Sequence, residues 1–177
     1  MPALADLHLF VQHLSQPEYV HLLLNAWPVY GMAAGAFMLL WALALGQEQT
    51  LQIALYWVVL MGLASLLAVY YGQQGYDRVL AMSNREAQQW LMVHMRRAEA
   101  WVWVFYATGA VAAGALVARR WQPRLAHFLG ILTCALALWS SLLGGWISQA
   151  GGQVRHGEFR EGPPAAAELP LGNEQAH

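Results

Sequence analysis

The sequence predicts an all-α integral membrane protein: a four-helix bundle with a short interfacial helix ahead of it. Three observations lead there. Four stretches, 20–45, 52–72, 100–118 and 125–148, contain no Asp, Glu, Lys or Arg, and each is close to the roughly 20 residues with which a helix crosses about 30 Å of hydrocarbon. Charged residues make up only 11% of the chain and hydrophobic ones 58%, where a soluble domain carries about 25% charge. Most of the tryptophans (Trp27, Trp41, Trp57, Trp101, Trp103, Trp121 and Trp146) stand near span ends, where a ring with one polar atom suits the headgroup region. Inside hydrocarbon each backbone N–H and C=O must be bonded within its own segment, so the spans should be helices. The alternating pattern of a membrane barrel is absent.

The elements follow in order. Residues 1–19 hold no Arg or Lys and the first long apolar run starts near Val20, which does not fit a removable signal peptide. Leu4, Leu7, Val11 and Leu14 recur at helical spacing before Pro17, the pattern of a short helix lying in the membrane interface. Pro28 should kink the first span about one turn in. Gly31 and Gly35 make a GxxxG step on that span, and Ala110 with Gly114 a similar one on the third. Such steps bring helices close, either within the bundle or against another subunit or a flat cofactor. Ser83 and Glu86 form a capping-box pattern that should start a helix running into the third span. Trp139 sits deep in the fourth span and is expected to pack inside. The transmembrane domain is read as 1–156. Residues 157–177, with Pro163, Pro164 and Pro170 among Ala, Gly and Glu, read as a disordered tail.

Several functions are excluded. The nine cations, all arginine, and ten acids give a net charge of -1, so no basic field exists to hold nucleic acid. The single cysteine, Cys134, supports neither an internal disulfide nor a cysteine-rich metal site. G-x-S-x-G, P-loop, H-E-x-x-H, dinucleotide and C-x-x-C-H patterns are all missing, so neither a catalytic centre nor a covalently attached haem is expected.

Four crossings place both chain ends, and the connection 73–99, on one side, the terminal side. The opposite side has the short connections 46–51 and 119–124, and Arg119, Arg120 and Arg124 crowd the second of these. By density of arginine those loops should be cytoplasmic and the termini outside. This parity gathers His8, His13, His21, His94, His156 and His177 on the terminal side and leaves His127 alone on the other. His21 enters the first span, His94 precedes the third and His156 follows the fourth. Imidazole is the usual side-chain ligand of haem iron and of several transition metals. His94 and His156 are therefore candidate ligands of a haem or a metal ion, with His21 a further candidate. Trp90 and Trp101 are placed to wall a ring, and Arg155 to hold a carboxylate in a two-pronged bond or, equally, to meet a lipid phosphate.

The stretch Leu22-Leu23-Leu24-Asn25-Ala26-Trp27-Pro28-Val29-Tyr30-Gly31 resembles the L-L-N-H-F-P-x-x-G opening of a family of small bacterial four-helix membrane proteins of unknown function. His94 and Ala98 resemble its H-x-x-x-A step. Gly151-Gly152-Gln153-Val154-Arg155-His156-Gly157-Glu158 resembles its G-G-x-I-R-H-x-E ending. Members are sometimes joined to c-type cytochrome domains and are distantly similar to b-type membrane cytochromes. The resemblance implies a bacterial inner-membrane protein with redox company on the outer, periplasmic face. Two positions depart from the pattern. Ala26 stands where the family has a histidine, and no acid precedes His94. If the family histidine is a ligand, the resemblance implies that this chain has lost it. A metal-binding or metal-handling site made of His21, His94 and His156 with nearby Met is one expectation, and two other functions stand ahead of it. One is a small subunit of an electron-transfer system, a b-type haem carrier or the anchor of a redox complex, working with other membrane or cytochrome subunits. The other is a cofactor-free structural subunit that packs on partner helices through Gly31, Gly35, Ala110 and Gly114.

Overall fold

The computed structural model describes residues 2–165. They form α1 (Pro2–His13), α2 (Pro17–Leu24), α3 (Ala26–Leu45), α4 (Glu48–Met82), α5 (Arg85–Ala118), α6 (Pro123–Arg155) and a 3-10 turn, Gly157–Phe159. Helices α3 to α6 run up and down in a ring, α3 beside α4 and α6, and α5 beside α4 and α6. The core is Met32, Ala36, Leu39, Leu55, Val58, Phe105, Ala112 and Ala137. Large apolar side chains face outward all round, among them Phe37, Ile53, Leu60, Leu67, Trp103, Phe128 and Leu142. A monomer in water rarely exposes so broad an apolar surface; hydrocarbon around it removes the cost. Four helical stretches, Pro17–Leu45, Glu48–Met82, Arg85–Ala118 and Pro123–Arg155, are long and apolar enough to cross a membrane, so this is a multi-pass membrane protein. Trp139, expected inside, is 50% exposed and belongs to the lipid-facing belt.

Each boundary has a local cause. Pro28 cannot donate to the Leu24 carbonyl, and the helix is interrupted there at Asn25, between α2 and α3. Gly46 closes α3 in the left-handed region, φ 65°, where glycine has no steric penalty. The cap of α5 is Asn84, whose Oδ1 accepts from the Ala87 N–H at 2.9 Å. It lies one residue beyond the expected Ser83, which turns back to donate to the Val79 carbonyl at 2.7 Å and finishes α4. Asn84→Ala should cost about 1 kcal/mol, read as a lowered Tm in detergent. An unchanged Tm would mean that the cap adds nothing.

Helices α4 and α5 have 35 and 34 residues, about 50 Å at 1.5 Å per residue, well beyond about 30 Å of hydrocarbon. The excess lies on the terminal side, where Asp77, Arg78, Arg96 and Glu99 appear. Helix α1 carries exposed Leu7, Leu9, Phe10 and Val11, as a helix lying in the interface does. Residues 157–165, read from the sequence as tail, are placed instead. Arg160 donates to the Gln153 and Val154 carbonyls at 2.6 and 2.9 Å, and Trp90 Nε1 donates to the Gly162 carbonyl at 3.3 Å. The remainder of that tail, with His177, lies outside the described residues.

Helix crossings are set by glycines. A Cβ at Gly62 would stand 3.0 Å from the Gly109 Cα, backbone against backbone between α4 and α5. One at Gly144 would stand 2.7 Å from Val29 and 3.0 Å from Phe105, between α6 and its neighbours. Gly31 and Gly35 are buried against Met61 and Val58 of α4, so that step works inside the bundle. The step expected at Ala110 and Gly114 does not close a helix contact in this way. Ala110 is exposed, and a Cβ at Gly114 would meet only Leu129, at an ordinary 3.8 Å. The close approach on α5 uses Gly109.

Candidate functional site

Above the crossings of Gly62 with Gly109 and of Gly144 with Val29, the helices part toward the terminal side. They enclose a cavity of about 660 Å³ lined from α2, the start of α3, α4, α5 and α6. This is the size and the largely apolar character of a small-molecule or cofactor site. Ser65, Phe105 and Gly144 line its deep end, and Glu18, Tyr76, Val154 and His156 its terminal end. A smaller cavity of about 290 Å³, lined by Ser83, Asn84 and Arg160 among others, adjoins it, and Val79, Val154 and Arg155 belong to both.

His21 and His94 both line the larger cavity and stand edge to face, ring centres 6.3 Å apart and ring planes at 69°. His21 comes from α2 and rests on α4, with its Nδ1 2.8 Å from the Ala68 carbonyl. His94 comes from α5 and rests on α6, with its Nδ1 2.9 Å from the Ile147 carbonyl. A carbonyl only accepts, so each Nδ1 carries the hydrogen. In the neutral ring Nε2 is then the unprotonated, ligating nitrogen, on the side away from that bond. Metal-bound histidines are held in the same way, with the second nitrogen donating to a backbone carbonyl.

The spacing is informative. A metal ion bound from opposite sides by two imidazole nitrogens, about 2 Å from each, sets the ring centres roughly 6 Å apart. Among the described residues no group of three or more His, Cys, Asp or Glu side chains is gathered to hold a metal ion. Two imidazoles alone under-coordinate a bare ion. Two imidazoles would suffice only for a metal that brings its other ligands with it, as haem does.

The sequence paired His94 with His156; the structure pairs it with His21. Helix α6 passes His94 at Ile147 and Gly151, and His156 lies more than a turn further along. His156 stands at the cavity rim with its Nδ1 2.9 Å from Glu158 Oε1 and its ring against Phe159. The Glu158 carboxyl is held below its usual range by its own backbone N–H and by that imidazole. Arg155 is exposed and faces both cavities, the expected place for a group that meets a carboxylate. Trp90 and Trp101 stand outside the lining of the larger cavity; Phe105, Tyr76 and Tyr106 supply its aromatic walls. His127 is exposed on the opposite side, and His8 and His13 are exposed on and beside α1.

Position 26, where the resemblance implies a lost ligand, does not bear on this site. Glu18, His21, Leu22, Asn25, Pro28 and Val29 line the cavity, a stripe of helical period that excludes Ala26. The sequence reading also passed over Arg97. It is buried between α5 and α6, donating to the Trp146 carbonyl at 2.8 Å and to Gln149 Oε1 at 2.9 Å, with its guanidinium 4.2 Å over the Trp146 ring. Its place one turn after His94 ties the helix that carries His94 to the helix that seats it. Comparison with known family models, curated proteins and solved structures gives no match.

Proposed function

We propose that this chain is a b-type haem protein of a membrane electron-transfer system, with His21 and His94 as the axial ligands. The observation that carries the reading is the imidazole pair: 6.3 Å between ring centres, each Nδ1 on a backbone carbonyl, and a cavity of about 660 Å³ that both rings line. When bound, haem supplies a one-electron couple tuned by its axial ligands and their hydrogen bonds. The chain's own residues do the rest. Ala68 and Ile147 fix the tautomer of each histidine. Phe105, Tyr76 and Tyr106 give the macrocycle an apolar wall. Arg155, at the terminal rim of the cavity, would meet a carboxylate of the bound group.

The site lies near the terminal surface of the bundle. His94 is five residues, about 7.5 Å along the helix, closer to that surface than Glu99, the first charge beyond the third apolar span. Electrons then exchange with a partner on that face, a cytochrome or another redox subunit. The arginine density of the short loop supports a reading in which that face lies outside the cytoplasm, as in a bacterial inner membrane with periplasmic termini. The alternative of a cofactor-free scaffold is less well served. Gly31 and Gly35, one of its two expected contact steps, are spent inside the bundle, which leaves it the exposed Ala110 with Gly114, and the scaffold gives no reason for two imidazoles brought together at a cavity.

Protein produced with ample haem supply and purified in detergent should show a Soret band, and sharp visible bands after dithionite. Protein without a Soret band under those conditions would overturn the reading.

A further inference from the structure

The two histidines are seated by the same device in two different helix pairs. His21 bonds the Ala68 carbonyl, and four residues on, a Cβ at Gly72 would stand 2.9 Å from His21 Nδ1. His94 bonds the Ile147 carbonyl, and four residues on, a Cβ at Gly151 would stand 3.1 Å from His94 Nδ1. Each ring lies in the notch left by a missing side chain, one turn beyond the carbonyl that it bonds. Gly75 extends the first notch. A Cβ there would come 2.8 Å from the Glu18 backbone, so α2 lies directly on α4, and the Glu18–Arg78 ion pair at 3.0 Å closes that contact.

A notch of this kind controls two things. It sets how far each ring stands from the mid-line of the cavity, and it sets the rotation of the ring about its ligand bond, because the Nδ1–H must point at one carbonyl. Both carbonyls belong to helices, so neither acceptor can follow a ring that moves. The rings are held at 69° to each other, far from coplanar. In low-spin ferric iron, coplanar imidazoles split the two π-bonding d orbitals strongly. Near-perpendicular rings leave them almost degenerate and give a highly anisotropic paramagnetic signal. The Nδ1–H···O=C bonds also give the imidazoles more anionic character, which favours the ferric state and lowers the reduction potential.

We propose that Gly72 and Gly151 are positioning residues, which hold the two axial imidazoles nearly perpendicular and on their backbone carbonyls. The proposal rests on the haem reading above. The residues do not touch the iron; they act through His21 and His94.

The test compares Gly72→Ala and Gly151→Ala with Gly145→Ala in haem-loaded full-length protein. Gly145 lies in the same helix as Gly151, and a Cβ there meets nothing within 4 Å. All three changes raise helix propensity, so a difference between them is not a difference in helix formation. The wild type and Gly145→Ala should give a ferric signal with one dominant low-field feature. Gly72→Ala and Gly151→Ala should each push a ring out of its notch, move the signal toward the rhombic three-line form and shift the midpoint potential upward. Loss of haem from these two but not from Gly145→Ala would also support the role. A rhombic wild-type signal overturns the proposal, as do unchanged spectra and potentials in both seat variants. A wild type that binds no haem defeats the haem reading itself, an outcome distinct from these.

Discussion

His94→Gly should lose its haem, with affinity falling by more than the 10–100-fold that loss of an outer-shell partner costs. His21→Gly should do the same, whereas His156→Ala should leave the Soret and reduced spectra unchanged. His21 and His94 bring their rings together at the cavity, and among the described residues each is the only imidazole that its own helix contributes to the lining. His156 is exposed and turned to Glu158. Removing a ring leaves a hole bounded by the glycine notch, Gly72 for His21 and Gly151 for His94. Free imidazole added to the glycine variants should fill that hole and restore a six-coordinate spectrum. Restoration separates a lost ligand from a misfolded protein. If His156→Ala abolishes the absorption and His21→Gly does not, the ligand pair is His94 with His156 and the pairing described above is wrong.

The fold was legible in the sequence because membrane spans are written in one dimension. A run of uncharged residues of the right length has no stable alternative to a helix in hydrocarbon; three of the runs lie inside single helices and the first is shared by α2 and α3, broken only at Asn25. The amphipathic spacing before Pro17 and the break induced by Pro28 are likewise local properties. The site was half legible. Counting crossings brought His21, His94 and His156 to one end, but parity says nothing of rotation about each helix or of depth along it. Glu18, His21, Leu22, Asn25, Pro28 and Val29 form one stripe, and that period, applied to α2, would have put His21 on the inner face and Ala26 off it. The seats at Gly72 and Gly151 were hidden for a different reason. Gly151 stood in view within a quoted motif, yet a lone glycine in a helix has no spacing signature that separates a notch for a ring from a relaxed contact. The same holds for Gly62 and Gly109, which bring α4 and α5 backbone to backbone without any GxxxG step, whereas at the GxxxG-like Ala110 and Gly114 a Cβ on Gly114 meets only Leu129 at an ordinary distance. Arg97 was missed because charge was read as a marker of the span boundary. At that boundary a guanidinium can be buried on carbonyl groups and an indole ring.

Gly62→Leu should be the most damaging single change in the bundle. A Cβ at Gly62 would already stand 3.0 Å from the Gly109 Cα and 3.4 Å from the Phe105 carbonyl oxygen. Those are backbone atoms of α5, so no rotamer change relieves the clash, and α4 and α5 must separate along the contact. Overpacking usually costs about 1–3 kcal/mol. Here the cost should reach the top of that range or pass it, because the dispersion contacts that bind helices in lipid fall off steeply with distance. Ala110→Leu serves as the comparison, since Ala110 faces outward on α5, the helix that Gly62 packs against, and a larger apolar side chain there meets only lipid. Thermal or denaturant unfolding in detergent should show a large loss of stability for Gly62→Leu and almost none for Ala110→Leu. The same change reaches the site, because this crossing is the pivot above which α4 and α5 part around the cavity. Haem binding should therefore weaken in Gly62→Leu at temperatures where the helices remain folded. Equal stabilities for the two variants would show that the crossing is not closed at these glycines. Unweakened haem binding in a destabilised Gly62→Leu would show that the cavity is held open by the terminal ends of the helices alone.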